Sequence, residues 1–173
     1  VDILKKSPFE LCQISGFGFL RVDAIVQKNG GDLRAPMRIK GALFWALEDS
    51  KGKNGHLFLT SEALQKEALQ LLNAKIPIPS LRLHAQEVSD VLEDMILHGE
   101  VVSVKGDIYL PRVFAQEDET ARRIAMRVVE PPAPEKIEQI LEQVKREIGL
   151  ALSSKQEAAV YAAYRHNLSI ITG

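Results

Sequence analysis

Apolar residues recur along the chain in short, helix-spaced sets separated by glycine and proline. In "SPFELCQISGFGFLRVDAIVQKNGG", residues 7–31, Phe9, Leu11, Cys12 and Ile14 form one set. Phe19, Val22, Ile25 and Val26 form a second, closed by Asn29-Gly30-Gly31. Ser7 as N-cap, Pro8 at the first helical position and Glu10 three residues after the cap give the first set a helix start. Two short helices joined by Gly16-Phe17-Gly18 are predicted, making a helical hairpin over residues 1–31.

The middle of the chain mixes two periods. Pro36 opens a helix with Ile39, Leu43, Ala46 and Leu47 on its apolar side and Trp45 as added bulk, and Gly52 and Gly55 are read as its stop. "HLFLT" reads as a short strand leading to Thr60, the N-cap of a helix through Leu72 whose first turn carries Glu62. "IPIPS" is a rigid loop. A helix over residues 85–98 aligns Val88, Val91, Leu92, Met95 and Ile96 on one face, with Gly99 at its end. "EVVSVKGDIYLPR" then predicts two strands around Lys105-Gly106-Asp107.

Helix, strand, two helices and a hairpin, over residues 35–114, is the order of a winged-helix-like module. Such modules often read duplex DNA with the third helix. Here that stretch holds Glu87, Asp90, Glu93, Asp94 and Glu100 with no Lys or Arg, a face that phosphates repel. Packing or protein contact is the alternative use.

A connecting helix is expected over residues 115–130, with Arg122, Arg123 and Arg127 on it. "EPPAPE" follows, and its proline-rich core, residues 131–134, is placed as a linker and domain boundary. Beyond it Ile137, Ile140, Leu141, Val144 and Ile148 mark an amphipathic helix ending at Gly149. Ser153 and Gln156 form a capping box for another helix to about Arg165, and Leu168-Ser169-Ile170-Ile171 reads as a short strand. The predicted fold is mainly α with small β elements.

Composition narrows the chemistry. The chain has 173 residues, is 46% hydrophobic with a formal net charge of −1, and holds only 6% aromatic residues, too few for an extended base-stacking platform. Nucleic-acid contact would need local cations. Residues 1–40 hold seven Lys or Arg (5, 6, 21, 28, 34, 38, 40) against four Asp or Glu (2, 10, 23, 32), a surplus of three. The single Cys12 forms no internal disulfide, which fits a reducing cytoplasm, and reads as a small core residue. The four histidines show no zinc-like spacing, so no metal site is assigned. No stretch has the length and apolarity of a membrane span, and the start is no signal peptide. The missing initial Met and the apolar strand at the end suggest a piece of a longer protein.

Two sites carry possible phosphate chemistry. Gly16, Phe17 and Gly18 allow close backbone approach, so the amides entering the second helix can face a phosphate, with Arg21 and Lys28 assisting. The alternative is a tight turn between packed helices. At the other end, a strand running into Thr172-Gly173 is where a phosphate-binding loop begins, while Gln156 reads on its own as a cap.

Taken in order, these features resemble the RecD/TraA family of ATP-dependent DNA helicases, in superfamily 1. In that family a Leu-Ser-x-x-Gln helix precedes an apolar strand and then Thr-Gly-Gly-Pro-Gly-Thr-Gly-Lys-Thr, to which "LSSKQEAAV…LSIITG" is similar. "SPFELCQISGFGFLRVDAIVQ" is similar to the family's helix-hairpin-helix, with Val22 where Ala is usual and Leu20 where a polar residue is common. The resemblance spans nearly the whole chain. It implies that residues 135–173 begin a RecA-like α/β motor domain, that Gln156 contacts adenine, and that Gly173 opens the Walker A loop. It further implies a bacterial, cytoplasmic parent that uses ATP and Mg²⁺ for 5′→3′ DNA unwinding in repair or recombination. The partner would be single-stranded DNA or a junction of single and double strand. This chain would hold no catalytic residue, bind no cofactor and hydrolyse no ATP. A stand-alone winged-helix regulatory module and a protein-interaction domain are the other classes the sequence permits.

Overall fold

The computed structural model describes residues 8–13, 17–128, 137–149 and 151–172. The chain divides into two compact units, Val1–Ala115 and Gln116–Gly173. The proline-rich linker at 131–134 lies outside the described residues, as do Ser7, Gly16 and Gly173.

In the first unit, a six-residue 3-10 helix, Pro8–Gln13, precedes α1, Phe19–Lys28. The sequence suggested an α-helix for the first of these. Six residues are too few to offset the cost of α-helix nucleation, and the tighter 3-10 form is the usual short solution. Next come α2 (Pro36–Asn54), β1 (Phe58–Thr60), α3 (Ser61–Asn73), α4 (Ala85–Leu97), β2 (Val102–Val104) and β3 (Asp107–Tyr109).

α2 is the central element, packing on the 3-10 helix, α1, α3 and α4. Pro36 at its start needs no backbone partner. Gly52 does not stop this helix. It sits inside the last turn, and the break comes at Gly55, whose φ of 72° is left-handed and whose N–H donates to the Lys51 carbonyl at 3.0 Å. Ile39, Ala42, Leu43 and Ala46 of α2 meet Phe19, Val22, Leu64, Leu72, Leu92 and Met95 in the core. Each fully buried aliphatic contributes about 1.5–3 kcal/mol against exposure, so this cluster is what holds the unit together. The Val22 that departs from the usual Ala is one of its members, 1% exposed.

α3 starts at the Thr60 cap, whose hydroxyl accepts from Ala63 N at 3.2 Å, and α4 at His84, whose N–H donates to Glu87 Oε2 at 2.8 Å. β2 and β3 are joined by Lys105-Gly106, with φ of 53° and 93°, the two left-handed residues of a tight hairpin. β1 adds to the other edge of β3, giving an antiparallel sheet in the order β1-β3-β2 with Leu59 opposite Ile108. The Gly106 carbonyl accepts from Ser61 N at 2.8 Å, tying the hairpin turn to the start of α3.

α5, Pro111–Arg127, starts directly after the sheet, earlier than the expected connecting helix, because Pro111 takes the first helical position. The division between the units falls inside it. In the second unit α6 (Ile137–Ile148) and α7 (Ser154–Arg165) run antiparallel: Glu138 meets Arg165 at 2.9 Å and Lys145 meets Glu157 at 2.6 Å. Ile137 and Leu141 are buried, while Ile140, Val144 and Ile148 of the same stripe are at least 40% exposed.

The strand expected at Leu168–Ile171 does not form. A strand exists by pairing, and among the described residues no neighbouring strand offers this segment a ladder, so Ile170 is 86% exposed. The described residues are thus mostly helical with one three-stranded sheet.

Candidate nucleic-acid interface

The hairpin is seated on α2 by two close approaches that the sequence reading missed. A Cβ at Gly41 of α2 would lie 2.7 Å from Phe9 Cβ, so only glycine lets the 3-10 helix sit there. Phe9 then stacks on Phe19 with ring centroids 5.6 Å apart. At Gly18 a Cβ would lie 3.2 Å from Trp45 Cζ2. Gly18 has φ −70° and ψ 157°, extended backbone open to any residue, so what it provides is proximity to Trp45 and not a special backbone conformation.

Gly18 is the N-cap of α1, its carbonyl accepting from Arg21 N at 3.0 Å and Val22 N at 3.3 Å, with no side-chain cap. The Arg21 and Val22 amides are thus already paired and Phe19, the first residue of α1, is fully buried, while the helix dipole favours an anion at this end. Phe17 is 37% exposed beside them. Arg21 projects from the first turn of α1 and Lys28 from its last, both exposed and about 10 Å apart along the axis. The structure therefore places Phe17, Gly18 and Arg21 together and Lys28 at the far end.

Most of the local basic surplus is already engaged. Arg38, 1% exposed, donates from Nε to Asp23 Oδ1 at 2.6 Å and from Nη2 to Asp23 Oδ2 at 2.9 Å. Its Nη1 also donates to the carbonyl of Leu33 at 2.9 Å and its Nη2 to that of Leu72 at 2.7 Å. Gln27 Nε2 adds a bond to Asp23 Oδ2 at 2.6 Å. Lys40 is paired with Glu100 at 2.6 Å and Asp94 at 3.1 Å. These partners raise the Lys40 pKa, the Glu100 hydrogen bond most, and Lys40 in turn lowers that of Asp94. Arg34 meets Glu87 at 2.9 Å. Three of the seven cations counted from the sequence thus serve the fold. The signal for Arg38 was legible in retrospect: a lone Arg on the apolar face of α2 facing a lone Asp on the apolar face of α1.

Cys12 is half-buried against the core, and burial first, then the Asp23 charge, pushes its thiol up to about 11. It stays protonated at neutral pH and is no nucleophile. Among the described residues no group of three or more His, Cys, Asp or Glu is placed to hold a metal, and no helix is long and apolar enough to cross a membrane.

In the second unit Gln156 is exposed on the first turn of α7. Its Oε1 accepts from Ser153 N at 2.8 Å, and the Ser153 hydroxyl accepts from Gln156 N at 3.4 Å, a complete capping box.

The 3-10 helix and α1 thus form a helical pair seated on α2, with Gly18 as the N-cap of α1. Residues 1–58 match the family model described as the helix-hairpin-helix domain of the ATP-dependent RecD2 DNA helicase. The ATP-dependent RecD2 DNA helicase of Deinococcus radiodurans is 28% identical over 177 residues, covering 100% of this chain and 25% of that protein. The chain spans about a quarter of the length of this curated relative. The resemblance to RecD-type helicases read from the sequence therefore holds: the N-terminal region is homologous to the RecD2 helix-hairpin-helix domain.

Proposed function

We propose that this chain is the N-terminal, DNA-binding accessory part of a bacterial, cytoplasmic, ATP-dependent 5′→3′ DNA helicase of the RecD/TraA type, serving repair or recombination. The match of residues 1–58 to the RecD2 helix-hairpin-helix domain carries this reading. The whole-chain similarity to one quarter of the Deinococcus helicase supports it. In this reading residues 1–31 are the helix-hairpin-helix, 35–114 a winged-helix-like module, 115–130 a connector, 131–134 a linker and 135–173 the start of the motor. The element order of α2, β1, α3, α4, β2 and β3 and the sheet order β1-β3-β2 support the second of these.

In this reading the start of α1 faces one phosphate, attracted by the helix dipole, while Arg21 screens the same group. Gly16, Phe17 and Gly18 would let the DNA backbone come close, and Lys28 would reach a separate phosphate. Contacts of this kind position DNA without reading sequence.

In the parent, bound Mg²⁺-ATP would supply the free energy for translocation. Gln156 fits an adenine edge: its carbonyl oxygen has two lone pairs, one held by the Ser153 N–H, and its amide N–H₂ is a donor. Gly173 would begin the phosphate loop. No catalytic residue is assigned within this chain, which on its own binds no cofactor and turns over no ATP.

The test is fluorescence anisotropy with labelled single-stranded and duplex DNA. Arg21→Glu should weaken binding more than Lys28→Glu, with a shallow salt dependence reflecting few phosphates. Gly18→Val, checked for folding by thermal denaturation, should block the backbone approach. Undiminished binding by a folded Gly18→Val variant reduces the hairpin to a structural role.

A further inference from the structure

The loop between α3 and α4 is built to hold one shape. The Asn73 carboxamide spans its base, accepting from Leu83 N and donating to Leu83 O, each at 2.9 Å. Arg82 Nε donates to the Ile76 carbonyl at 3.0 Å, and Ile76 and Leu83 are buried beneath. Pro77 and Pro79 fix φ on either side of Ile78, and a 3-10 turn, Pro79–Leu81, forms the tip. This braced tip displays two large aliphatic side chains: Ile78 is 51% exposed and Leu81 41%.

Charge sets the loop apart as well. Residues 68–86 contain no Asp or Glu, the longest such stretch in the sequence, and they carry Lys75 and Arg82. The first acid beyond, Glu87, is occupied by Arg34 Nε and by the His84 N–H. Arg34 Nη2 also reaches the Arg82 carbonyl at 3.4 Å, which brings a third cation beside the loop. The neighbouring α4 is the reverse, with Glu87, Asp90, Glu93 and Asp94 on a helix lacking any Lys or Arg.

We propose that this loop is a second DNA-binding element, which seats the exposed terminal base pair at a junction of double and single strand. The inference rests on the DNA-binding reading above but not on the hairpin. Lys75 and Arg82 neutralise phosphates on either side of the junction. Ile78 and Leu81 lie against the flat face of the last base pair. Duplex DNA offers such an apolar face only where its stack is interrupted, and aliphatic side chains are used as wedges at interrupted steps. The phosphate backbone accounts for the cations, and the base-pair face accounts for the tip.

The experiment compares the full chain on a short forked duplex and on covalently closed circular duplex, which has no ends. The intact chain should prefer the fork. Ile78→Ser should lose about tenfold on the fork, erase that preference and leave the salt slope unchanged, since no charge is removed. Lys75→Glu should weaken binding to both DNAs and lower the slope of log K against log salt by about one or more. Leu81→Ser repeats the tip test if Ile78→Ser melts early. A folded tip variant that still prefers the fork, or a Lys75→Glu variant that binds as the parent does, overturns the proposal. Arg21→Glu run in parallel separates the two readings. Loss there alone removes the loop and keeps the hairpin, and loss at Lys75 and Ile78 alone does the opposite.

Discussion

Arg38 and Asp23 form a bidentate ion pair, 2.6 and 2.9 Å, at 1% and 5% side-chain exposure, joining α2 to α1 inside the core. The guanidinium also donates to two backbone carbonyls, Leu33 and Leu72, from a third and a fourth segment. Removing one partner leaves a buried charge without its mate, at a cost of about 3–5 kcal/mol. Asp23→Ala and Arg38→Met should each lower the unfolding free energy by that order, read from urea titration. The double variant should lose less than the sum, and strict additivity of the two would show that the pair is not coupled.

Gly41→Ala tests how the hairpin is seated. The new methyl would meet Phe9 at 2.7 Å, closer than real carbons approach, so the 3-10 helix must lift or α2 must shift. Overpacking of this kind costs about 1–3 kcal/mol. Hydrogen exchange should quicken in residues 8–13 and stay slow in α3 and α4. A uniform change across the first unit would place the strain elsewhere.

The hairpin's existence was legible in the sequence, from the two apolar sets and their punctuation, and so were most helix bounds in the middle of the chain. What anchors the hairpin was not. Gly41 looks like an ordinary glycine until Phe9 is placed against it, and nothing local says that Trp45 is what Gly18 approaches, because close approach is a property of pairs of segments distant in sequence. The basic count over residues 1–40 misled for the same reason: Arg34, Arg38 and Lys40 find acids on other helices. The strand expected at Leu168–Ile171 shows the limit of β-propensity, since a strand needs a neighbour that local pattern does not supply.

Cys12 gives a pH signature. Its folded pKa, about 11, lies above the ordinary thiol value, so the native state keeps a proton that the unfolded state releases between about 9 and 11. The sign follows: the unfolded state binds fewer protons there, and stability falls as pH rises through that window. At pH 8 the native thiolate fraction should be down on the order of a hundredfold. Iodoacetamide should alkylate the native protein correspondingly more slowly than the urea-unfolded chain. Equal rates would place the thiol in water.

Gln156→Ala removes one arm of the capping box on α7. Loss of that cap should cost about 0.5–1 kcal/mol, seen as faster amide exchange in the first turn of α7. In a full-length parent the same change should weaken ATP more than GTP, because a cap does not discriminate bases. Equal loss for both nucleotides would leave Gln156 a cap and nothing more.

The sheet order β1-β3-β2 also sets a timetable for folding. β2 and β3 are adjacent in sequence and closed by the Lys105-Gly106 turn, so their pairing is a local event on the microsecond scale. β1 reaches β3 only across the whole of α3 and α4, and the Ser61–Gly106 bond closes that same long loop. The entropy of so distant a closure is recovered only once both helices have docked, which makes β1 the last strand to join. Leu59→Ala should then speed unfolding while leaving the folding rate nearly unchanged, whereas Ile108→Ala on β3 should slow folding itself. Stopped-flow chevrons of the two variants read this directly, and a slowed folding limb for Leu59→Ala would put β1 in the nucleus. The edge that assembles last is also the first to open, so the rim carrying Phe58 is where the native first unit should begin to come apart.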